Sequence, residues 1–377
     1  MLLFAGAVLE TCASYAYTSP IPDDPFLRAY VSKMTPEEKI GQLFMLCLPG
    51  TELTPEMKKW ISDHKIGGMA IFGKNVADEG QLIALTRAMQ TAASGTSLGI
   101  PLFIATDHEP GDSFMPIKLG KTFPYAKTLA AKNDPDVIRK MAEDMSADLT
   151  KWGINMNFYP VADIDRPDGT SFMSTRSFGS DPNKVAEYTG IVFDVFESHR
   201  IISVAKHFPG HGGTAKDSHK TLPVINKTLE SMKSADFIPY YNTIKKGLPA
   251  VMMAHILYPK LDPKLPATLS KIIIRNILRK ELGFQGLVVS DEMLMDAIKK
   301  NYSIPDACRM AIEAGIDIIL ITRPQLMEQP VEQVYLELVK ALKSGKLSSA
   351  IVDDSVCRIL IAKNKYLGFE IHPQSGQ

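Results

Sequence analysis

Between Lys206 and His219 the chain places three histidines, two lysines and an aspartate in fourteen residues. Imidazole, ammonium and carboxylate groups at this density suit proton transfer and the binding of polar ligands. Asp217 and His219 stand two residues apart, so the carboxylate can accept the imidazole N–H. Such a partner fixes the tautomer and raises the basicity of the ring, which suits a proton shuttle. Pro209, Gly210, Gly212 and Gly213 forbid a helix here, and the apolar run Ile201–Ala205 before them reads as a buried strand. The stretch is therefore a polar loop hung on a strand end, where a rigid scaffold can position chemistry. A solvated loop of scattered polar residues is the plainer alternative. His207, His211, Asp217 and His219 are also possible metal ligands, but no second tight ligand pair occurs elsewhere, so neither metal nor cofactor is expected.

The elements that must position this loop follow from apolar runs alternating with helical patterns. Strands are predicted at 44–48, 67–72, 101–106, 154–161, 201–205, 250–254, 286–290 and 316–322. Helices are predicted from the Thr35-Pro36 capping signal, at 56–64, 79–93, 134–153, 181–200, 228–246, 270–282 and 304–314, and at 328–343 and 348–365. Near-continuous apolar strands mean a parallel sheet covered on both faces, and eight such units predict an α/β fold of the closed (β/α)8 TIM-type barrel, as a single domain. A doubly wound open sheet is the runner-up, weakened because no Gly-x-Gly-x-x-Gly follows the first strand. Asp107, Asp163, Lys206, His207, His255 and Asp291 each fall at the C-terminal end of a different predicted strand or beside one another there. In a barrel those ends share one mouth, where active sites sit. This distribution favours an enzyme over a binding or structural module.

Bulk properties narrow the partners. The 377 residues carry 42 Lys+Arg against 42 Asp+Glu, without a long basic run, which argues against nucleic acid and anionic membrane surfaces. The four cysteines contain no Cys-x-x-Cys pair, so no disulfide framework is expected. Residues 1–25 read as a leader or signal-like segment with a Pro-rich linker, since an apolar start precedes Ser14-Tyr15-Ala16, an acceptable cleavage site. The protein is expected to be exported if that segment is a signal peptide and cytoplasmic otherwise. Residues 26–369 form the expected barrel and 370–377 a flexible tail; no segment suits stable membrane insertion, and a monomer is favoured.

Asp291 leaves a buried strand directly opposite the Asp217/His219 loop in such a barrel. A carboxylate facing a proton donor is the requirement for glycosidic bond cleavage. At these residues the chain resembles the single-domain β-N-acetylglucosaminidases of glycoside hydrolase family 3, which trim peptidoglycan muropeptides. The resemblance covers about Asp24 to Phe369. It rests on Lys206-His-Phe-Pro-Gly-His-Gly212 followed by Asp217-Ser-His219, with Arg176-Ser-Phe-Gly-Ser-Asp-Pro182, Val251-Met-Met-Ala-His-Ile-Leu-Tyr-Pro259 and Leu282-Gly-Phe-Gln-Gly-Leu-Val-Val-Ser-Asp291. It implies that Asp291 is the nucleophile of a retaining hydrolase, His219 the general acid/base and Asp217 its dyad partner. Asp107, Arg176, Lys206 and His207 match the residues that hold the hydroxyls of a terminal N-acetylglucosamine. The implied partner is a small saccharide or muropeptide.

One stretch departs from the family pattern. Where the family reads Asp-Gln-Glu-Gly-Gly-Arg-Val, this chain has Asp107-His-Glu-Pro-Gly-Asp-Ser-Phe-Met115, without the arginine or the further arginine that follows it. Lys118 is the nearest cationic substitute. Two alternatives stay open beside the hydrolase: a phosphorylase, because an imidazole repels incoming phosphate less than a carboxylate does, and a non-catalytic saccharide-binding barrel.

Overall fold

The computed structural model describes residues 24–111, 117–323 and 331–371. Eight parallel strands are present: β1 (Phe44–Cys47), β2 (Gly68–Ile71), β3 (Phe103–Thr106), β4 (Met156–Asn157), β5 (Ile202–Phe208), β6 (Ala250–Met253), β7 (Leu287–Val289) and β8 (Ile319–Ile321). Their order is β7-β6-β5-β4-β3-β2-β1-β8. A parallel bridge between Val289 and Ile318 joins the two ends, so the sheet closes into the expected barrel. Every residue of these strands is buried, because the inner face fills the barrel and the outer face meets helices.

The helices form where caps and periodicity place them. Thr35 accepts from the Glu38 amide while Glu38 reaches back to Thr35, a complete capping box ahead of the helix Pro36–Gln42. Asp134 and Asp181 cap the helices Pro135–Lys151 and Pro182–Ser198, each with proline in the first turn. Gly315 ends the helix Ile304–Ala314 at φ 117°, a conformation that favours glycine.

Three expectations are corrected. The single helix predicted over 228–246 is two, Leu229–Lys233 and Ile238–Lys245. The break occurs where Asp236 turns inward to accept from Lys227 Nζ at 2.7 and 2.9 Å. The segment predicted as helix over 270–282 is π-helical at Ile272–Glu281. β4 spans only Met156–Asn157, and Val161 instead makes an isolated bridge to Lys206.

The closing seam is tied by a side chain. Asp317 Oδ2 accepts from the Val288 amide at 2.8 Å and from Arg279 Nη2 at 2.8 Å, and its Oδ1 lies 2.8 Å from Arg358 Nη2. All three charged groups are buried. Lys363, on the helix Ser349–Leu367, is also fully buried; its Nζ donates to Gln42 Oε1 at 2.9 Å and lies 4.9 Å above the Phe103 ring. Burial drives its ammonium well below the ordinary lysine value. Cys47, Cys308 and Cys357 are free and buried. No described helix is long and apolar enough to cross a membrane. The proposed leader at 1–25 and tail at 370–377 lie almost wholly outside the described residues.

Candidate active site

The polar groups gather at the C-terminal mouth of the barrel, beginning with β5. This strand runs past its predicted end at Ala205 to Phe208, so Lys206 and His207 are strand residues. Lys206 is 1% exposed and could stay buried as a cation only with counter-charges. It has two. Its Nζ contacts Asp107 Oδ1 at the end of β3, and it lies 2.5 Å from Glu109 Oε1. Glu109 in turn is gripped by Arg176, Nε to Oε2 at 2.8 Å and Nη2 to Oε1 at 2.6 Å, a bidentate pair. Asp107, Arg176 and Lys206, proposed from the sequence as sugar-holding residues, are thus brought into one cradle.

Charges this close shift one another. Burial opposes the charge on Glu109, yet the fields of Arg176 and Lys206 outweigh it and hold the carboxyl far below its ordinary value. Asp107 shifts the other way: burial, with the Glu109 charge behind it, pushes it up against the pull of Lys206. Glu109 was not singled out by sequence reasoning. Its signal was present, an acid two residues past the strand-end Asp107, but nothing local showed that it turns back onto Lys206.

His207 is fixed from β4. Asp163 accepts the His207 ring at Nδ1 at 2.7 Å, the His207 amide at 3.2 Å and the His211 amide at 2.6 Å. Burial would raise the Asp163 carboxyl, but His207 and His211 hold it below its ordinary value. The chain must press close here: a Cβ on Gly212 would lie 1.7 Å from the Ile164 carbonyl oxygen, so only glycine fits.

The dyad expected in the loop is formed. Asp217 Oδ1 accepts the His219 amide at 2.9 Å and lies 2.8 Å from His219 Nδ1. The Asp296 amide lies 3.4 Å from the His219 carbonyl oxygen, which ties the β5 loop to the segment after β7. Asp291 follows β7 and accepts the Glu292 amide at 2.8 Å. Burial pushes its carboxyl up, while His255, His207 and His219 together bring it down to about 2, so it is ionised across neutral pH. All seven residues proposed from the sequence, Asp107, Arg176, Lys206, His207, Asp217, His219 and Asp291, therefore lie at one mouth.

Glu292, the adjoining acid, looks elsewhere. Its carboxylate accepts from the Thr322 amide at 2.6 Å, from the Thr322 hydroxyl, and from the Leu294 amide at 3.1 Å. Its carbonyl oxygen accepts from His255 Nε2 at 3.1 Å, so His255 supports the backbone behind Asp291. His108 packs edge-on against Trp152, centroids 5.6 Å apart, with neither ring nitrogen hydrogen-bonded. Burial lowers its pKa to about 4. Lys118 is exposed, and of the departing loop residues 112–115 lie outside the described residues. Among the described residues, no group of three or more His, Cys, Asp or Glu side chains is placed to hold a metal ion.

A closed (β/α)8 barrel whose charged groups converge beyond the strand ends belongs to the class of barrels that carry a ligand site at the C-terminal mouth. Comparison with known proteins narrows this. Residues 35–362 match the model of the glycosyl hydrolase family 3 N terminal domain, and the chain belongs to that family. It is 33% identical over 341 residues to a beta-hexosaminidase A of Pseudoalteromonas piscicida, covering 84% of this chain and 56% of that protein. It is 30% identical over 298 residues to a beta-hexosaminidase of Stenotrophomonas maltophilia, covering 78% of this chain and 87% of that one. A family 3 beta-N-acetylglucosaminidase from a Paenibacillus species superimposes with a TM-score of 0.83 at 33% identity, over 91% of this chain and 65% of that one. A beta-N-acetylhexosaminidase from Beutenbergia cavernae gives 0.80 at 27%, over 88% and 99%. The chain thus spans a little over half of the first relative and nearly all of the Beutenbergia protein.

Proposed function

We propose that this protein is a retaining exo-β-N-acetylglucosaminidase that removes terminal non-reducing N-acetylglucosamine from peptidoglycan fragments. The observation that carries the reading is the Asp217–His219 pair, docked through Asp296 onto the segment that bears an ionised Asp291. The hexosaminidase names of the relatives support the sugar. Asp291 attacks the anomeric carbon as His219 Nε2–H protonates the departing glycosidic oxygen. Asp217 stabilises the imidazolium beforehand and orients the ring. His219, neutral after the first step, then takes a proton from water, whose oxygen displaces Asp291 from the sugar. Lys206, Arg176, Asp107 and His207 hold the sugar hydroxyls with charge-assisted hydrogen bonds.

The test is turnover of a chromogenic N-acetylglucosaminide beside purified muropeptides, in wild type and Asp291→Asn. Free N-acetylglucosamine and a loss of several powers of ten in the variant are expected. Sugar 1-phosphate in phosphate buffer would make the enzyme a phosphorylase. Binding of saccharide without turnover would make it a non-catalytic barrel.

A further inference from the structure

Ser218 lies between the two dyad residues in sequence but points the other way. It is 1% exposed, while the side chains of Asp217 and His219 are 18% and 30% exposed. Its hydroxyl lies 3.0 Å from His211 Nε2. His211 is itself 1% exposed and is tied through its amide to Asp163 at 2.6 Å. A line of polar contacts therefore runs from the exit of β4, through Asp163 and His211, to the middle of the dyad. The His211 ring is wedged between His207 and Phe172, with centroids 5.6 and 5.7 Å away. Burial keeps that ring neutral, with its pKa down to about 4, so it offers one donor and one acceptor across neutral pH. On the other side the loop is open: Lys216 and Lys220 are exposed.

We propose that the His211–Ser218 hydrogen bond is the anchor that holds the acid/base loop in its working position, which makes both residues positioning residues for proton transfer at His219. The inference rests on the acid/base reading of Asp217 and His219. A hydrogen bond buried on both sides is costly to leave half made, so the anchored loop dominates. A reacting group displaced by an ångström costs about a hundredfold in rate.

Ser218→Ala removes one oxygen. His211→Leu removes the ring nitrogen, and His211→Gln restores an amide nitrogen close to where Nε2 stood. Ser218→Ala and His211→Leu are expected to lower kcat on an aryl N-acetylglucosaminide about ten- to hundredfold, with kcat/KM falling less because the activated leaving group needs little acid. His211→Gln should recover most of the loss. Azide, which needs no deprotonation to attack the glycosyl-enzyme, should restore turnover in Ser218→Ala and in His219→Ala alike; a purely structural defect would not respond. Trypsin should cut the folded proteins at Lys216 or Lys220 about tenfold faster in Ser218→Ala and His211→Leu than in wild type. Unchanged cutting and unchanged kcat overturn the anchor. So does a loss of global stability shared by Ser218→Ala and His211→Gln without selective cutting in the loop, because the contact would then belong to the core. The proteolysis needs no activity: faster cutting in a protein that turns over nothing sinks the hydrolase reading and leaves the anchor standing.

Discussion

Glu109→Gln keeps the shape of the cradle and removes the charge at its centre. The Glu109 and Lys206 side chains are each 1% exposed and that of Arg176 is 11% exposed, so solvent can replace little of what is lost. Breaking one partner out of a buried ion pair costs about 3–5 kcal/mol, because the remaining charge stays desolvated. Lys206 keeps Asp107, whereas Arg176 loses its bidentate acceptor, so the expected cost lies near the lower end, about 3 kcal/mol. A protein of ordinary stability would lose a fifth or more of its total by this one change. The assay is guanidinium unfolding at pH 7, with Glu187→Gln as a control. Glu187 meets Lys184 at the surface, and its removal should cost less than about 0.5 kcal/mol. The folded Glu109 carboxyl titrates below its ordinary 4.5, so the stabilisation is full above that pH and fades only as pH falls through the lower, folded value. The difference between wild type and variant should therefore persist at pH 5 and shrink in stronger acid. A midpoint matching that of the Glu187 control would refute the cradle as a charge network.

Three other outcomes are expected. His219→Ala should cripple substrates with poor leaving groups far more than activated aryl glycosides, and Asp217→Ala should do the same more mildly; equal losses on both substrates would make His219 a binding residue. The buried, unpartnered His108 binds its proton less readily folded, about 4 against 6.5, so stability should fall by about 3 kcal/mol as pH drops from 6.5 to 4 and be full above that window. His108→Phe should flatten that part of the unfolding profile, leaving a similar contribution from His211. Lys363→Met should raise stability at pH 7 by about 1 kcal/mol or more, since the lysine has an amide oxygen and a ring for company; a lower denaturation midpoint would contradict this.

The strands were legible because each is a short apolar run bounded by turn residues, and all eight appear. Strand ends were less so: Lys206 and His207 looked like loop, since nothing local shows that Asp107, Glu109 and Asp163 wait to neutralise them. The same holds for Asp236, whose partner Lys227 lies nine residues away and breaks a helix that periodicity alone would continue. The dyad was visible because its two members are neighbours in sequence. Glu109 and His211 were not assigned, because their partners come from distant units of the barrel or lie across a turn.

The seam between β7 and β8 has a consequence for synthesis. Asp317 brings the last strand to Val288 only with Arg279 and Arg358 as counter-charges, and Arg358 lies on the helix Ser349–Leu367. A chain with all eight strands but without that helix would have to bury the Asp317 carboxylate with half its cations. Closing the barrel is therefore costly until the helix Ser349–Leu367 is in place. Asp291 sits two residues past β7, so its position depends on the same closure. An incomplete chain is left open at this edge, where β7 and β8 present unpaired backbone to chaperones and to other chains.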